Sequence, residues 1–558
     1  MSKKTIDTPN RFVCCENTRS RAFHSYLRPL FFVCGGILSS AVASHGALAM
    51  NLYSGASAGN DLEINLDTTI EYSTFYRVND PSAVILNASN FNDGDENFKH
   101  GFVSNEFEAI PVLDIKDGDY GAHVSGEFYL NTVYLQHNQN SSPATINQYD
   151  PADNTSFSSA TRNVNGENAM LLDAFAYGKE YFGANEGQSL EVKVGRQTLL
   201  WGQSLFFAGN GVAAGQAPID LIAAEGLPNP QAQQIFLPVG QAVVTYQPNQ
   251  IVTLQAYYQF EWKPDNFEGT GAYFSNADFL ARSQSIVAVP GAVYLYRVKD
   301  NTPPINNGQF GASVQATLDN YDLGLYALRY DSKAPDIYDG APQAGGGPGI
   351  NAGSFWLVYP RDIQLYGASL GTTVGPVDIG AELSGRRNMP LVELNVIPAV
   401  YPGGANNGET YATGSTWAGQ TSAIYVSPGL PLDPGGVTLV GEFAMNHVLS
   451  YENKAELTPG RDNTAGAFEA VITPSYFDVL PNTELQFPVG IEDNLFGRSQ
   501  IDPTMNHGTG SVSFGVTATY RTTWVAGLTY KDYFGKPDPV LNDLADRGYV
   551  SLNLNHTF

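Results

Sequence analysis

The chain has little cysteine, little positive charge and no long apolar run after its first fifty residues, and each shortage removes a class of protein. Its three cysteines are Cys14, Cys15 and Cys34, and none follows. Beyond residue 34 there is therefore no disulfide, no thiolate metal site and no cysteine nucleophile. A lipidated Cys34 is disfavoured because Phe32 and Val33 stand before it, where a small residue is expected. Lys and Arg total 29 against 55 Asp and Glu, a net charge of −26. Nucleic acid requires a basic face, so a nucleic-acid partner is excluded. No stretch of eighteen apolar residues follows Ala49, which leaves no sequence for a membrane-spanning helix.

The N-terminus has the three-part layout of a secretory signal. Arg19, Arg21 and Arg28 precede an apolar run from Leu30 to Ala43, and Ala47-Leu48-Ala49 supplies a small-x-small cleavage pattern. The alternative, a membrane anchor, fits poorly, because the apolar core is short and broken by Gly, Ser and His45. The expected division is a signal peptide over 1–49, cleaved after Ala49, and one domain over 50–558. The long positive region leaves a translation start nearer Arg19 or Arg28 open. Residues 1–49 hold six of the 29 basic and two of the 55 acidic groups, so the remainder has 23 against 53, a net −30.

What is present is alternation. Leu62, Ile64, Leu66, Thr68, Ile70, Tyr72, Thr74, Tyr76 and Val78 share one parity, and Glu63, Asn65, Asp67, Thr69, Glu71, Ser73, Phe75 and Arg77 the other. Successive strand side chains point to opposite faces, so one face is apolar and the other charged. The pattern returns where Val252, Leu254, Ala256, Tyr258, Phe260 and Trp262 oppose Thr253, Gln255, Tyr257, Gln259, Glu261 and Lys263. It returns again at Val377–Arg386 and Val512–Arg521. Parity changes near Gly195, which predicts a bulge. A strand from Leu62 to Val78 is long for a soluble sandwich, where about five or six residues is common. A slightly negative mean hydropathy is compatible with a membrane protein only if apolar and polar residues alternate.

Connections alternate as well. Tight turns stand at Asp117-Gly118-Asp119, Ala184-Asn185-Glu186-Gly187, Gln247-Pro248-Asn249, Asp319-Asn320 and Gly375-Pro376. Long links are expected over 79–101, 136–168, 201–240, 264–308, 332–360 and 387–419. The fold class predicted is all-β, a transmembrane antiparallel barrel of roughly 18 strands with 16 as the alternative, long extracellular loops and short periplasmic turns. The last strand alternates Val550, Leu552 and Leu554 with Ser551, Asn553 and Asn555 and ends on the aromatic Phe558, a feature suited to recognition by barrel-insertion machinery. His556 stands where an apolar residue is usual.

Several segments together resemble a known family. They are Asn92-Asp93-Gly94-Asp95-Glu96-Asn97-Phe98, then Val194-Gly195-Arg196-Gln197 with Trp201-Gly202. Tyr258-Gln259-Phe260-Glu261-Trp262, Tyr273-Phe274-Ser275 and Asp278-Phe279 follow. Tyr359-Pro360-Arg361-Asp362-Ile363 and Arg387-Asn388-Met389-Pro390 complete the set. In order and spacing the chain resembles the Proteobacterial outer-membrane family catalogued as domain of unknown function thirteen-oh-two, with departures over 403–435 and in the penultimate strand pairs. The resemblance implies an outer-membrane barrel that works with a periplasmic partner and an RND-type inner-membrane transporter on hydrophobic or amphipathic compounds. It implies no catalytic residues and no cofactor.

The candidate site is the barrel interior. Parity directs Glu63, Asp67, Glu71, Arg77, Glu127, Gln255, Gln259, Glu261, Glu382 and Arg386 inward, with Glu442 a further candidate. The acidic excess among them predicts preference for cations or neutral solutes over anions, unless the charges are simply paired across strands. The link over 203–240 is too apolar for a surface loop, with Leu205, Phe206, Phe207, Ile219, Leu221, Ile222, Ile235, Phe236 and Leu237 and only Asp220 and Glu225 charged. It is expected to fold into the barrel as a constriction. The alternative is a loop that caps the rim or packs on a neighbouring subunit. Asp93, Asp95, Glu96 and Asn97 offer oxygen ligands but lack the order of a calcium loop, so a solvated acidic turn is expected and no metal. His123-Val124-Ser125 has the spacing of an outer-membrane lipid hydrolase, yet parity turns both polar side chains away from lipid. A receptor with a large folded plug lacks room before Leu62. The functional expectation is a conduit for small hydrophobic or amphipathic solutes in contact with outer-membrane lipid and lipopolysaccharide. The alternatives are a general porin with an acidic lumen and, more remotely, a lipid hydrolase.

Overall fold

The structure, a computed structural model, describes residues 50–55, 61–147, 153–183, 187–226, 235–275, 277–280, 282–304, 308–342, 349–393, 397–398, 411–427, 435–454 and 457–558. The expected signal over 1–49 lies outside these residues, as do 403–410 and 428–434 of the segment 403–435.

Eighteen strands close into one antiparallel barrel. The first six are β1 (Leu62–Arg77), β2 (Gly101–Asp117), β3 (Tyr120–Asn131), β4 (Glu167–Phe182), β5 (Gln188–Gln197) and β6 (Val239–Gln247). Then come β7 (Val252–Gln259), β8 (Gln309–Leu318), β9 (Tyr321–Tyr330), β10 (Ile363–Val374), β11 (Val377–Pro390) and β12 (Thr413–Ser427). The last are β13 (Val437–Glu452), β14 (Thr464–Leu480), β15 (Thr483–Gln486 continued by Val489–Phe496), β16 (Gly510–Tyr520), β17 (Trp524–Phe534) and β18 (Tyr549–Thr557). Strand β15 is interrupted at Pro488, which has no N–H for the ladder. Each strand pairs with its sequence neighbours, and β18 closes on β1 from Thr69↔Thr557 to Arg77↔Tyr549. The terminal Phe558 completes the seam: its N–H donates to the Thr68 carbonyl (3.1 Å), and the Thr68 N–H donates to the Phe558 carbonyl (2.9 Å). His556 stacks on its cross-strand partner Trp524 at 4.2 Å, so an aromatic surface is kept at that position.

Burial is inverted relative to a soluble protein. Glu71, Ser73, Arg77, Glu442, Asn446, Ser551 and Asn553 are buried, while Tyr72, Tyr76, Phe107, Phe128, Tyr258, Leu325, Leu383 and Phe514 are exposed. Such an outer surface is stable only against hydrocarbon, and only a closed ladder leaves no unpaired backbone there.

Long links gather at one end: 78–100, 132–166, 198–238, 260–308, 331–362, 391–412, 453–463, 497–509 and 535–548. Short turns occupy the other. Three expectations need correction. The link expected over 387–419 is shorter, because β11 runs to Pro390 and β12 begins at Thr413. The bulge expected at Gly195 is absent: β5 pairs with β4 and β6 without a register shift there. Gly195 instead takes φ 139°, and a Cβ on it would collide with the Ala174 carbonyl. The link expected to begin at 203 and end at 240 ends earlier, since Val239 and Gly240 belong to β6.

The long links build a layer of their own. Ser285–Val289, Val293–Arg297, Ile350–Val358, Asp336–Gly340 and Ile397–Pro398 form a five-stranded sheet. Beside it lies a charged knot. Asp95 is fully buried between Arg77 (2.8 Å) and Arg547 (2.9 Å), which joins link 78–100 to β1 and to link 535–548. Both guanidinium carbons lie 5.6 Å from the Tyr273 ring centre, which adds link 260–308 through cation–π attraction. Gly94 makes this approach possible, because a Cβ there would stand 2.6 Å from the Arg547 Nη1. The acidic segment read as a solvated turn is therefore an internal fastener. Removing one partner of a buried ion pair leaves the other charge unpaired and costs about 3–5 kcal/mol. Asp95→Ala is expected to leave the barrel's circular dichroism intact and to speed tryptic cleavage at Lys99 several-fold; unchanged cleavage would mean the knot does not hold these links together.

Candidate functional site

Link 198–238 leaves the top of β5, crosses the barrel interior and docks on the wall formed by β11–β14. Its composition explains why it goes inward. Leu205, Phe206, Ile235 and Phe236 are buried, Phe207, Ile219, Leu221, Ile222 and Leu237 half-buried, and Asp220 is buried. Leu205 and Phe206 pack against Val440 and Val471 of the opposite wall.

A loop with few regular hydrogen bonds needs partners for its backbone once buried. Three wall side chains provide them. The Glu442 carboxylate accepts N–H bonds from Leu205 (3.1 Å), Phe206 (2.5 Å) and Phe207 (2.9 Å). The Glu382 carboxylate accepts from Gln203 (2.7 Å) and Val212 (2.5 Å). Arg386 does the converse, with its Nη2 donating to the carbonyls of Asn210 (2.9 Å) and Gly211 (2.7 Å). Successive N–H groups aimed at one anion form a concave nest, and charged acceptors make such bonds about twice as strong as neutral ones. Gly202, at φ 105°, makes room, since a Cβ there would collide with the Glu382 carboxylate. Near β7 the Gln259 amide donates to the Gln216 carbonyl (2.6 Å), and Trp201 donates from Nε1 to Gln255 (2.5 Å) while stacking on Tyr326.

The other residues directed inward by parity fall as follows. Glu71, Arg77 and Glu127 are buried, Asp67 and Gln255 half-buried, and Glu63 is exposed near the turn end. Arg77 belongs to the charged knot and not to a free lumen wall. Glu261 stands beyond the end of β7, where it pairs with Arg196 (2.8 Å) and accepts from the Gly240 N–H (2.7 Å), so it is a rim contact. His123 and Ser125 do not assemble a nucleophile. His123 Nδ1 is bonded to Asp114 (2.7 Å), and Ser125 Oγ accepts the Asp173 N–H (3.1 Å).

Sequence reading directed Glu71 and Glu127 inward but passed over Glu106 and Glu108 of β2, which complete an acidic face on β1–β3. Glu71 and Glu108 are cross-strand partners, and Glu106 and Glu127 line a cavity of about 40 Å³ with Asp220 and Glu268 from the inner links. Parity on β2, where Phe107, Ala109, Pro111 and Leu113 alternate with Glu106, Glu108, Ile110 and Val112, was the available signal. Burial pushes the Asp220 carboxyl up to about 6 although Asn266 and the Ile222 and Ala223 N–H groups bond it, and pushes Glu268 up to about 8.

An 18-stranded transmembrane barrel with a wall-fastened inner loop is the class these features define. The chain belongs to the family described as Protein of unknown function (DUF1302), which matches residues 33–558. No curated protein matches it. Among solved structures it is similar to a BenF-like porin from Pseudomonas fluorescens Pf-5 at 10% identity and TM-score 0.42, covering 89% of this chain and 98% of that one. It is similar to Acinetobacter baumannii OccAB1 at 10% identity and TM-score 0.42, covering 92% and 99%. Pseudomonas aeruginosa OpdK, solved with vanillate, gives 11% identity and TM-score 0.40, covering 88% and 98%. Scores this low transfer neither a pore geometry nor a cargo.

Two outcomes follow. Each amide left without its acceptor inside the barrel costs about 1–3 kcal/mol, so Glu442→Ala should raise hydrogen exchange at the amides of 205–207 more than tenfold, with Glu442→Gln intermediate. Unchanged protection would show that Glu442 does not hold the loop. For Glu268 the sign is that of a raised carboxyl. Its folded form holds the proton more tightly than the unfolded one, so its protonated state favours folding fully below the ordinary value of 4.5. That contribution is lost as pH rises toward about 8. Proteolysis within 260–275 should therefore accelerate between pH 5 and pH 9, and a flat profile would contradict the burial of Glu268.

Proposed function

We propose that the protein is an outer-membrane conduit for small hydrophobic or amphipathic solutes, with link 198–238 as its constriction. The observation that supports this best is the fastening of an apolar loop across the interior by Glu382, Arg386 and Glu442. A loop so placed narrows the interior, with Leu205 and Phe206 packed against Val440 and Val471 of the wall. The acidic face of β1–β3 lies on the other side, so a neutral or cationic amphipath is the better cargo and an anion the worse. The apolar outer belt suits contact with outer-membrane lipid and lipopolysaccharide. In this reading residues 1–49 direct export and are removed, residues 50–558 act as one domain, and Phe558 serves the insertion machinery. A periplasmic partner and an RND-type transporter, implied by the family resemblance, would supply direction. No enzymatic role, metal or cofactor is proposed.

A general porin with an acidic lumen is the competing outcome, and planar-bilayer recording separates the two. The intact protein is expected to conduct poorly in plain salt, and deletion of 205–238 to raise single-channel conductance several-fold. Large stable channels from the intact protein, unchanged by the deletion, would establish the open porin instead.

A further inference from the structure

The wall of the barrel is irregular beside the acidic cavity. Between β2 and β3 the ladder stops at Ala109↔Phe128 and resumes at Val112↔Ser125, so the positions of Ile110, Pro111, Gly126 and Glu127 are not paired. The sequence accounts for this, because Pro111 has no N–H to give and proline inside a sheet marks an edge or an irregularity. The next ladder is disturbed at the same height. Between β3 and β4 the register shifts between Val124 and Gly126, and the Ser125 hydroxyl, not a carbonyl, accepts the Asp173 N–H (3.1 Å).

Each side of this break carries a recess. On the outer face lies an apolar groove of about 380 Å³ lined by Leu66, Pro111, Leu113, Val124, Phe128 and Leu171. Its volume is in the range of small-molecule sites, about 300–1,000 Å³. On the inner face lies the cavity with Glu106, Glu127, Asp220 and Glu268. Met170 lines both, and Gly126 places no side chain over the gap. An apolar recess facing hydrocarbon and an acceptor-rich recess facing the interior are thus separated by one residue's thickness of wall, where Pro111 interrupts the β2–β3 ladder without changing its register.

We propose that this break is a lateral portal. Through it an amphipathic small molecule passes between the barrel interior and the hydrocarbon of the membrane, with its apolar body in the outer groove and its head in the acidic cavity. The head is a hydrogen-bond donor or a cation, because the inner recess is lined by the carboxyl groups of Glu106, Glu127, Asp220 and Glu268. The inference deepens the conduit reading above and rests on it. It adds that the cargo enters or leaves through the wall and not along the barrel axis.

The test uses a removable staple. Ala109→Cys/Phe128→Cys places a disulfide across the last rung before the gap, and the chain has no other cysteine after residue 34. The probe is N-phenyl-1-naphthylamine, an apolar aromatic amine whose fluorescence rises in hydrocarbon, supplied to cells that display the full chain in the outer membrane. Uptake by the oxidised variant should fall at least fivefold and return on reduction, while ion conductance stays unchanged. A control staple across β7 and β8, Leu254→Cys/Val314→Cys, should leave uptake at the wild-type rate. Recovery on reduction shows that the stapled protein is folded. Wild-type uptake through the oxidised Ala109→Cys/Phe128→Cys protein overturns the portal and leaves the conduit standing. No uptake above that of cells lacking the wild-type protein overturns both.

Discussion

Two carboxylates that accept the backbone of a loop are the constraint on which the interior depends. A barrel with an apolar outside and a polar inside offers its own apolar loop nowhere to pack except within, and a buried loop must satisfy its N–H and C=O groups. Glu442 and Glu382 take the N–H groups, and Arg386 takes the carbonyls between them. The signs are complementary along the loop, so the three side chains also fix its register. Exchanging an acid for the arginine would present like to like at every contact.

Much of this was legible in residue order. Side-chain alternation is rigid in a strand, so parity alone placed Glu71, Glu127, Glu382, Arg386 and Glu442 on the inner face and Tyr72, Phe128 and Phe514 on the outer. Link lengths followed from the same pattern, and the composition of 203–240 pointed inward. What parity does not give is a partner far away in sequence. Asp95 reads as a surface acid because neither Arg77 nor Arg547 is near it in the chain, and the five-stranded sheet draws on three separate links. Glu261 continues the alternation of β7 after the strand has ended, so parity assigned it a face it does not have. Gly195 looked like a bulge but answers a need for space against Ala174. Pro111 was a sequence signal, a proline in mid-strand, whose meaning appears only once its neighbours across the ladder are known.

The molecule thus has a tightly fastened end and an irregular wall. Above, buried charges and the aromatic cluster of Phe75, Phe98, Tyr134, Tyr273 and Tyr549 lock the long links together. Within, the inner loop fills the space between β5 and β13. A route along the axis meets both obstacles, and both also bound the cavity behind the break between β2 and β3, through Asp220 of the inner loop and Tyr134 and Tyr273 of the aromatic cluster. The acidic recess there selects the head that accompanies the apolar body.

The central claim is that link 198–238 lies inside the barrel against β13, and one cross-link measures it directly. The Asn446 amide donates to the Asn210 side chain at 3.3 Å. In Asn210→Cys/Asn446→Cys protein, folded in the outer membrane and mildly oxidised, the account predicts a near-quantitative disulfide, seen as a shift in gel mobility that reduction removes. If the pair stays reduced while the barrel retains its heat-modifiable mobility, the loop lies elsewhere and the account of the interior is wrong.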